Sequence, residues 1–169
     1  MKTAKLIIDG KEIEIQISDE QVKELTAPKK VTGFERAELY GTYWTIRKDG
    51  DICSCSEYHL LNDDYNYDCS NYYTDVILAE WCNRSDTLTR RMRRWAAEHN
   101  SRSFDWSDSR EDAWHIAYNM GRDSFNLQSS FHKHCVESVY FETEEIAEEA
   151  IKVFGDEIKW LVQNRPKWF

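Results

Sequence analysis

Five arginines lie close together between residues 84 and 94 of a chain whose formal net charge is -9. Only one acid, Asp86, falls in the same stretch. A guanidinium group keeps its charge and bonds to phosphate oxygens in pairs, so the cluster predicts contacts to an RNA backbone or another phosphate. The alternative is that the cations stabilise the C-terminal half of a helix through its dipole. The predicted phosphate-binding residues are Arg84, Arg90, Arg91, Arg93 and Arg94.

Acids dominate residues 49–83, which contain eight Asp and Glu and no Lys or Arg. Within them, residues 62–73 read NDDYNYDCSNYY and show no clear period, which predicts a surface loop. Such a loop could bind a basic cleft on a partner or stack its tyrosines on bases, or it could simply be solvated. We expect Tyr72 and Tyr73 to dock the start of the next helix. The predicted partner-binding residues are Asp63, Asp64, Tyr65, Tyr67 and Asp68.

Two short clusters contain residues that can bind a metal or transfer protons. Cys53 and Cys55 form a C-x-C pair without a second pair of matching spacing, so we expect small core residues and no metal site. His132 and His134 could act as a general acid and base, with Lys133 holding a phosphate, but surface histidines are the simpler interpretation. The common catalytic motifs are absent, so the sequence assigns no catalytic residue and no cofactor.

The N-terminal pattern predicts a hairpin followed by a short helix. Within residues 5–17, Ile13, Ile15 and Ile17 alternate with polar residues, as in a half-buried strand. They follow Asp9-Gly10, a pair that is typical of a tight hairpin turn. Ser18 and Gln21 form a capping-box pattern for a short helix, which Pro28 ends. We therefore predict an appendage over residues 1–30 and an α+β body over residues 31–169.

The body is predicted to be an antiparallel sheet with one long central helix and a C-terminal helix. Thr74 or Asp75 caps the long helix, which carries the arginines and ends near His99. Thr143 caps the last helix, although Gly155 within it weakens the pattern. The predicted strands are Thr42–Arg47, Ile52–Ser56, Trp114–Met120, Ser124–Phe131 and Glu137–Phe141.

Composition excludes several classes of protein. The acidic balance disfavours a general DNA-coating protein, and no apolar run is long enough to span a membrane. Five cysteines, an odd number, follow no signal peptide, so we expect a cytosolic protein with reduced thiols. Aromatic residues make up 14% of the 169 residues, enough to build a sizeable core.

Several segments together resemble a group of phage proteins. They are Gly41-Thr42-Tyr43-Trp44, Asn71-Tyr72-Tyr73-Thr74-Asp75, Arg93-Arg94-Trp95-Ala96-Ala97-Glu98-His99-Asn100 and Val139-Tyr140-Phe141-Glu142-Thr143. They resemble small proteins of phages and mobile elements of low-GC Gram-positive bacteria. Some of those proteins are anti-CRISPR proteins against type II effector nucleases, including ones that act on the guide RNA. The resemblance spans most of the chain and implies a fold and a genomic setting, without carrying over any site residue.

The resemblance and the charge pattern lead to two functional hypotheses. The first is an inhibitor that binds a type II CRISPR effector nuclease, its guide RNA or both, by binding alone or by RNA cleavage, with stoichiometric inhibition favoured. The second is a phage counter-defence protein that sequesters a nucleotide signal or blocks another host defence enzyme. Aromatic rings and Arg can grip a nucleotide as well as an RNA chain.

Overall fold

The computed structural model describes residues 2–8, 11–26, 31–105, 112–130 and 138–167, which are called the described residues below. The chain divides into two compact units, Met1–Thr32 and Gly33–Phe169. Within the described residues, none of the helices has an apolar stretch long enough to cross a lipid bilayer.

The first unit contains a hairpin and a short helix. Strands β1 (Lys2–Ile8) and β2 (Lys11–Ile17) pair antiparallel, and helix α1 (Asp19–Thr26) follows them. Ile8 pairs with Lys11, so the connection consists of Asp9 and Gly10, which lie outside the described residues. The Ser18 hydroxyl accepts the Gln21 N–H at 3.1 Å and the Gln21 side chain accepts the Ser18 N–H at 2.8 Å, which confirms the capping box.

The second unit begins with a hairpin of β3 (Thr42–Ile46) and β4 (Ile52–Ser56). Gly50 has a φ of +90°, the left-handed conformation that its turn requires and that glycine adopts without strain. Trp44 of β3 also exchanges two backbone hydrogen bonds with Tyr73, at 2.7 and 3.0 Å. The predicted Asp-Gly hairpin is therefore confirmed, and Tyr73 is attached to its edge.

Helix α2 (Leu61–Asp68) occupies part of the segment that the sequence predicts to be a loop, and that prediction is wrong. Its side chains have no helical apolar period because the residue that the helix buries is Asp63, whereas Leu61, Tyr65 and Tyr67 are exposed. The helix instead begins with a local cap, in which the Asp63 carboxylate accepts the Leu60 N–H at 3.0 Å. Such a cap satisfies one of the N–H groups that the first turn leaves without a partner.

The two long helices are α3 (Val76–His99) and α4 (Glu144–Gln163), and both caps are as predicted. The Asp75 carboxylate accepts the Ile77 N–H at 2.8 Å, and the Thr143 hydroxyl accepts the Ile146 N–H at 3.3 Å. Ile77, in the first turn of α3, is 67% exposed. The core between the helices is built from Leu88, Ala96, Phe141, Ala147, Ala150 and Phe154.

The remaining strands, β5 (Ala113–Asn119) and β6 (Ser124–Ser130), form a third hairpin that packs on α4. Of the predicted strand over residues 137–141, the described residues 138–141 form a single bridge, between Phe141 and Trp114. The mixed α+β class is confirmed, and its described strands form three two-stranded antiparallel sheets. Helix α4 continues through Gly155, where an added Cβ would lie 3.3 Å from the Phe125 ring. Glycine at this position allows β6 to approach the helix closely.

Candidate functional site

A buried carboxylate, Glu57, lies directly after β4 and is 0% exposed. Arg36 donates two hydrogen bonds to it, at 3.0 and 3.3 Å, and the Tyr72 hydroxyl donates a third at 2.7 Å. The His59 N–H donates a fourth at 2.7 Å. The guanidinium of Arg36, followed by the Tyr72 and backbone bonds, holds the pKa of Glu57 below its usual value. Glu57 is therefore an ionised anchor beneath the chain that leads to α2.

Asp63 is a second buried carboxylate, 5% exposed, in the first turn of α2. The Tyr43 hydroxyl donates to it at 2.7 Å, and the N–H groups of Tyr58 and Leu60 donate at 3.0 Å each. The Tyr43 bond and these backbone bonds lower the pKa of Asp63. The sequence placed Asp63 among the partner-binding residues. Its carboxylate is instead satisfied internally, so Asp63 supports the surface and does not form part of it.

The two carboxylates are joined by a stacked pair of tyrosines. The rings of Tyr43 and Tyr72 are nearly parallel, with centroids 3.9 Å apart, and both are buried. Burial raises the pKa of each phenol above its usual range, which keeps both neutral and able to donate to a carboxylate. Tyr73 docks the start of α3 as expected, because it packs on Leu78 and Ala79, whereas Tyr72 bonds to Glu57.

Seven large apolar or aromatic side chains in the segments that build this network, residues 39–40 and 58–67, are 40–70% exposed. We call them the tyrosine–leucine surface: Leu39, Tyr40, Tyr58, Leu60, Leu61, Tyr65 and Tyr67. The rings of Tyr40 and Tyr58 meet edge to face, with centroids 5.9 Å apart. Exposed apolar groups that cluster in this way are typical of interaction sites.

The backbone under the tyrosine–leucine surface is held in an unusual conformation. Tyr40 and His59 have φ angles of 67° and 55°, in the left-handed region that bulky residues rarely adopt. Backbone bonds from Tyr40 to Glu57 at 2.7 Å and from Glu57 to Gly41 at 2.8 Å hold the two segments together. Strained conformations of this kind persist where the surroundings enforce them, often at functional sites.

Acids flank the tyrosine–leucine surface. Asp64 is partly exposed and forms an ion pair with Arg36 at 2.7 Å, while Glu38 and Asp68 are exposed. The predicted residues Asp64, Tyr65, Tyr67 and Asp68 thus lie in or next to α2, and the sequence did not single out the exposed Leu39, Tyr40, Tyr58, Leu60 and Leu61 of the neighbouring segments. The missed signal was the apolar sequence Leu60-Leu61 beside two tyrosine-containing segments.

Two of the five predicted phosphate-binding arginines make contacts inside the fold. The Arg84 guanidinium lies over the Trp160 ring of α4, 4.1 Å from its centroid. Arg91 donates to both carboxylate oxygens of Glu157, at 2.6 and 2.7 Å, and lies 5.4 Å from the Phe154 ring centroid. Both side chains therefore attach α3 to α4.

The other three, Arg90, Arg93 and Arg94, are exposed. Among the described residues, none of them forms an ion pair; Arg90 donates to the Thr87 hydroxyl at 3.2 Å. Arg90 and Arg93 line a cleft of about 340 Å³ together with Ser85, Asp86 and Thr89. Guanidinium and hydroxyl groups are typical phosphate ligands, whereas the Asp86 carboxylate in the same cleft would repel a phosphate.

The cysteine and histidine clusters add no site among the residues that the structure describes. Cys53 and Cys55 are half-buried on β4, and no group of three potential metal ligands occurs in the described ranges. His132, Lys133, His134 and Cys135 lie outside those ranges. The thiol of Cys82 is also internal, and burial raises its pKa to about 11.

Comparison with protein families, with curated proteins and with solved structures finds no match to this chain.

Proposed function

We propose that this protein is an inhibitor that binds a basic, nucleic-acid-handling partner through the tyrosine–leucine surface, and that the partner is a type II CRISPR effector nuclease. The observation that carries the proposal is the exposure of seven large side chains on backbone anchored by two buried carboxylates. Tyrosine is enriched where protein interfaces concentrate their binding energy. A surface that is rigid before binding loses little entropy when a partner docks on it.

The charge around the surface supports a basic partner. Glu38, Asp64 and Asp68 flank it, and the whole chain has a net charge of -9. The guide-RNA channel of a type II effector is positively charged, so an acidic protein is attracted to it and can compete for it. The choice of a CRISPR effector among basic partners follows from the sequence resemblance.

The exposed arginines support a second contact, to guide-RNA phosphates that the effector leaves accessible. This contact would be made by Arg90, Arg93 and Arg94, because Arg84 and Arg91 contact α4 instead. Both contacts are binding events, so the proposed inhibition is stoichiometric and takes place in the host cytoplasm.

The test compares two variants of the surface with two matched controls. The surface variants are Tyr40→Asn and Leu61→Ser. Asn at position 40 tolerates the positive φ found there, and Leu61→Ser removes an exposed apolar side chain. The controls are Ile77→Ser and Val153→Ser, equally exposed apolar residues outside the surface. Pull-down of effector, with and without guide RNA, and a plasmid-cleavage assay measure binding and inhibition.

We expect each surface variant to weaken binding by about tenfold or more without lowering the melting temperature. The controls should bind like the wild type. Equal behaviour of both pairs would show that the surface does not bind the effector. If the wild type binds no effector in any form, the alternative hypothesis takes its place. In that hypothesis the target is a nucleotide signal or another host defence enzyme.

A further inference from the structure

A cavity of about 380 Å³ lies in the second unit between the β3–β4 turn, α3 and α4. Its walls are held by bonds between these elements. The Asn83 side chain of α3 donates to the Gly50 carbonyl of the turn at 2.7 Å, and the Trp81 indole N–H donates to the Leu161 carbonyl of α4 at 2.9 Å. The cavity is therefore formed before any ligand binds, as small-molecule sites usually are.

One wall of the cavity is a guanidinium group that lies over an aromatic ring. The Arg84 guanidinium lies 4.1 Å from the centroid of the Trp160 ring, and both residues line the cavity beside the apolar Leu88 and Leu161. A planar aromatic ligand extends such a stack favourably because guanidinium groups and indole rings both stack on π faces.

The polar groups of the cavity indicate which planar ligand fits. Asp49 supplies a carboxylate and Asn83 supplies an amide, while the Glu157 carboxylate in the same wall is already paired with Arg91. Carboxylates repel a phosphate at short distance, whereas they accept hydrogen bonds from the N–H edge of a base. The cavity thus suits a nucleobase better than a phosphate, although Arg84 belongs to the cluster that the sequence assigned to phosphate.

We infer that this cavity binds one unpaired nucleobase, stacked on the Arg84–Trp160 pair with its N–H edge toward Asp49. The base can belong to a free nucleotide or to single-stranded RNA. Arg90, Arg93 and Arg94 follow Arg84 by six to ten residues on α3, or about 9–15 Å along the axis, so a strand seated here could place phosphates near them. The RNA source rests on the proposed function; the base site itself does not.

The test measures direct binding to the whole purified protein by calorimetry. The probes are the four ribonucleoside monophosphates, ribose 5-phosphate, inorganic phosphate, and a short single-stranded RNA with its abasic counterpart. The variants are Arg84→Met, with Arg47→Met as the control for an exposed arginine outside the cavity, and Asp49→Asn. Thermal melting of every variant separates lost binding from lost folding.

We expect at least one nucleoside monophosphate to bind and to lose about tenfold or more in affinity in Arg84→Met, with Arg47→Met unchanged. Asp49→Asn should change the preference among bases. Tighter binding of the RNA than of its abasic form would identify a strand as the source, and binding of the mononucleotide alone would identify a free nucleotide. Equal binding of inorganic phosphate and nucleotide, no binding of any base, or an unaffected Arg84→Met would overturn the base site. None of these measurements uses the effector, so failure here and failure of the proposed inhibition are separate results.

Discussion

Glu57 and Asp63 show how a buried charge can shape an exposed surface. Isolated carboxylates are costly to bury, but each accepts at least three hydrogen bonds here. Four of these donors lie on residues that carry or adjoin the tyrosine–leucine surface: Tyr58 N–H, His59 N–H, Leu60 N–H and the Arg36 guanidinium. The conformation of the surface therefore depends on the ionised state of two residues beneath it.

The residue-scale prediction concerns Glu57→Gln. The native pKa of Glu57 is lowered, so its stabilising contribution is complete above the unfolded pKa of about 4.3 and is lost as the pH falls through the native pKa. At about pH 7 the variant should lose about 2–3 kcal/mol in the free energy of unfolding, because the buried partner of Arg36 becomes neutral and only the partly exposed Asp64 stays charged beside it. Denaturant unfolding from about pH 7 to pH 3 measures this loss.

The difference between wild type and Glu57→Gln should shrink below about pH 4, where the wild-type carboxyl becomes protonated. Glu38→Gln, a change at an exposed acid, is the control and should match the wild type throughout. A Glu57→Gln protein as stable as the wild type at neutral pH would show that the network contributes nothing to stability.

At the scale of elements, the different faces of α3 make different contacts. Leu78, Leu88 and Ala96 are buried in the core, while Arg84 and Arg91 attach α3 to α4. The mutual repulsion of the arginines is reduced within the fold by Glu157, which lies far from the acidic stretch near α2 in sequence. The helix dipole needs only one or two cations, so it does not account for the three exposed arginines that remain.

The element-scale prediction compares two charge reversals on α3. Changing Arg93 and Arg94 together to Glu should leave the melting temperature nearly unchanged, because neither pairs with an acid among the described residues. RNA binding and inhibition should be lost, and wild-type binding should weaken steeply with added salt because phosphate contacts release counterions. Fluorescence anisotropy with labelled RNA over a salt series measures both effects.

Arg91→Glu is the matched comparison. It places a carboxylate against Glu157 and should lower the melting temperature, since two acids would then face each other between α3 and α4. If the Arg93–Arg94 double variant melts many degrees lower and inhibition follows only the folded fraction, the exposed arginines are structural and the phosphate assignment is wrong.

At the scale of the whole molecule, the two units differ in how they are built. Both core clusters, around Phe141 and around Leu78, consist of residues beyond Gly33. The first unit is a two-stranded hairpin with a short helix, and Ile7 and Ile13 of its strands are well exposed. A strand edge of this kind can pair with a strand of another protein.

The prediction at this scale is that deleting residues 1–30 leaves a folded body with weakened inhibition. The body keeps its helices, its buried carboxylates and its cores, so circular dichroism and the melting temperature should change little. The plasmid-cleavage assay should show a loss of inhibition, because the hairpin would no longer offer its edge to the partner. A truncated chain that does not fold would show that the first unit belongs to the core.

The elements that could be predicted are those whose signals are local. Asp49-Gly50, the Ser18 and Gln21 box, Asp75 and Thr143 each act within a few residues of the chain, and each is observed as expected. Helix α2 was missed because the residue that it buries is an acid, Asp63, whose partner Tyr43 lies 20 residues away in the chain.

The sequence by itself determined the α+β class, the hairpins and the two capped helices, because turn and cap geometry is set by neighbouring residues. Only the tertiary structure decided which charged side chains are paired inside the fold and which are exposed. Arg36 meets Glu57 across 21 residues, Arg91 meets Glu157 across 66, and Arg84 reaches Trp160 from a different helix. Contacts between such distant residues leave no local period in the chain. The fold alone therefore separates the buried Asp63 from the exposed Asp64, and the paired Arg91 from the exposed Arg93.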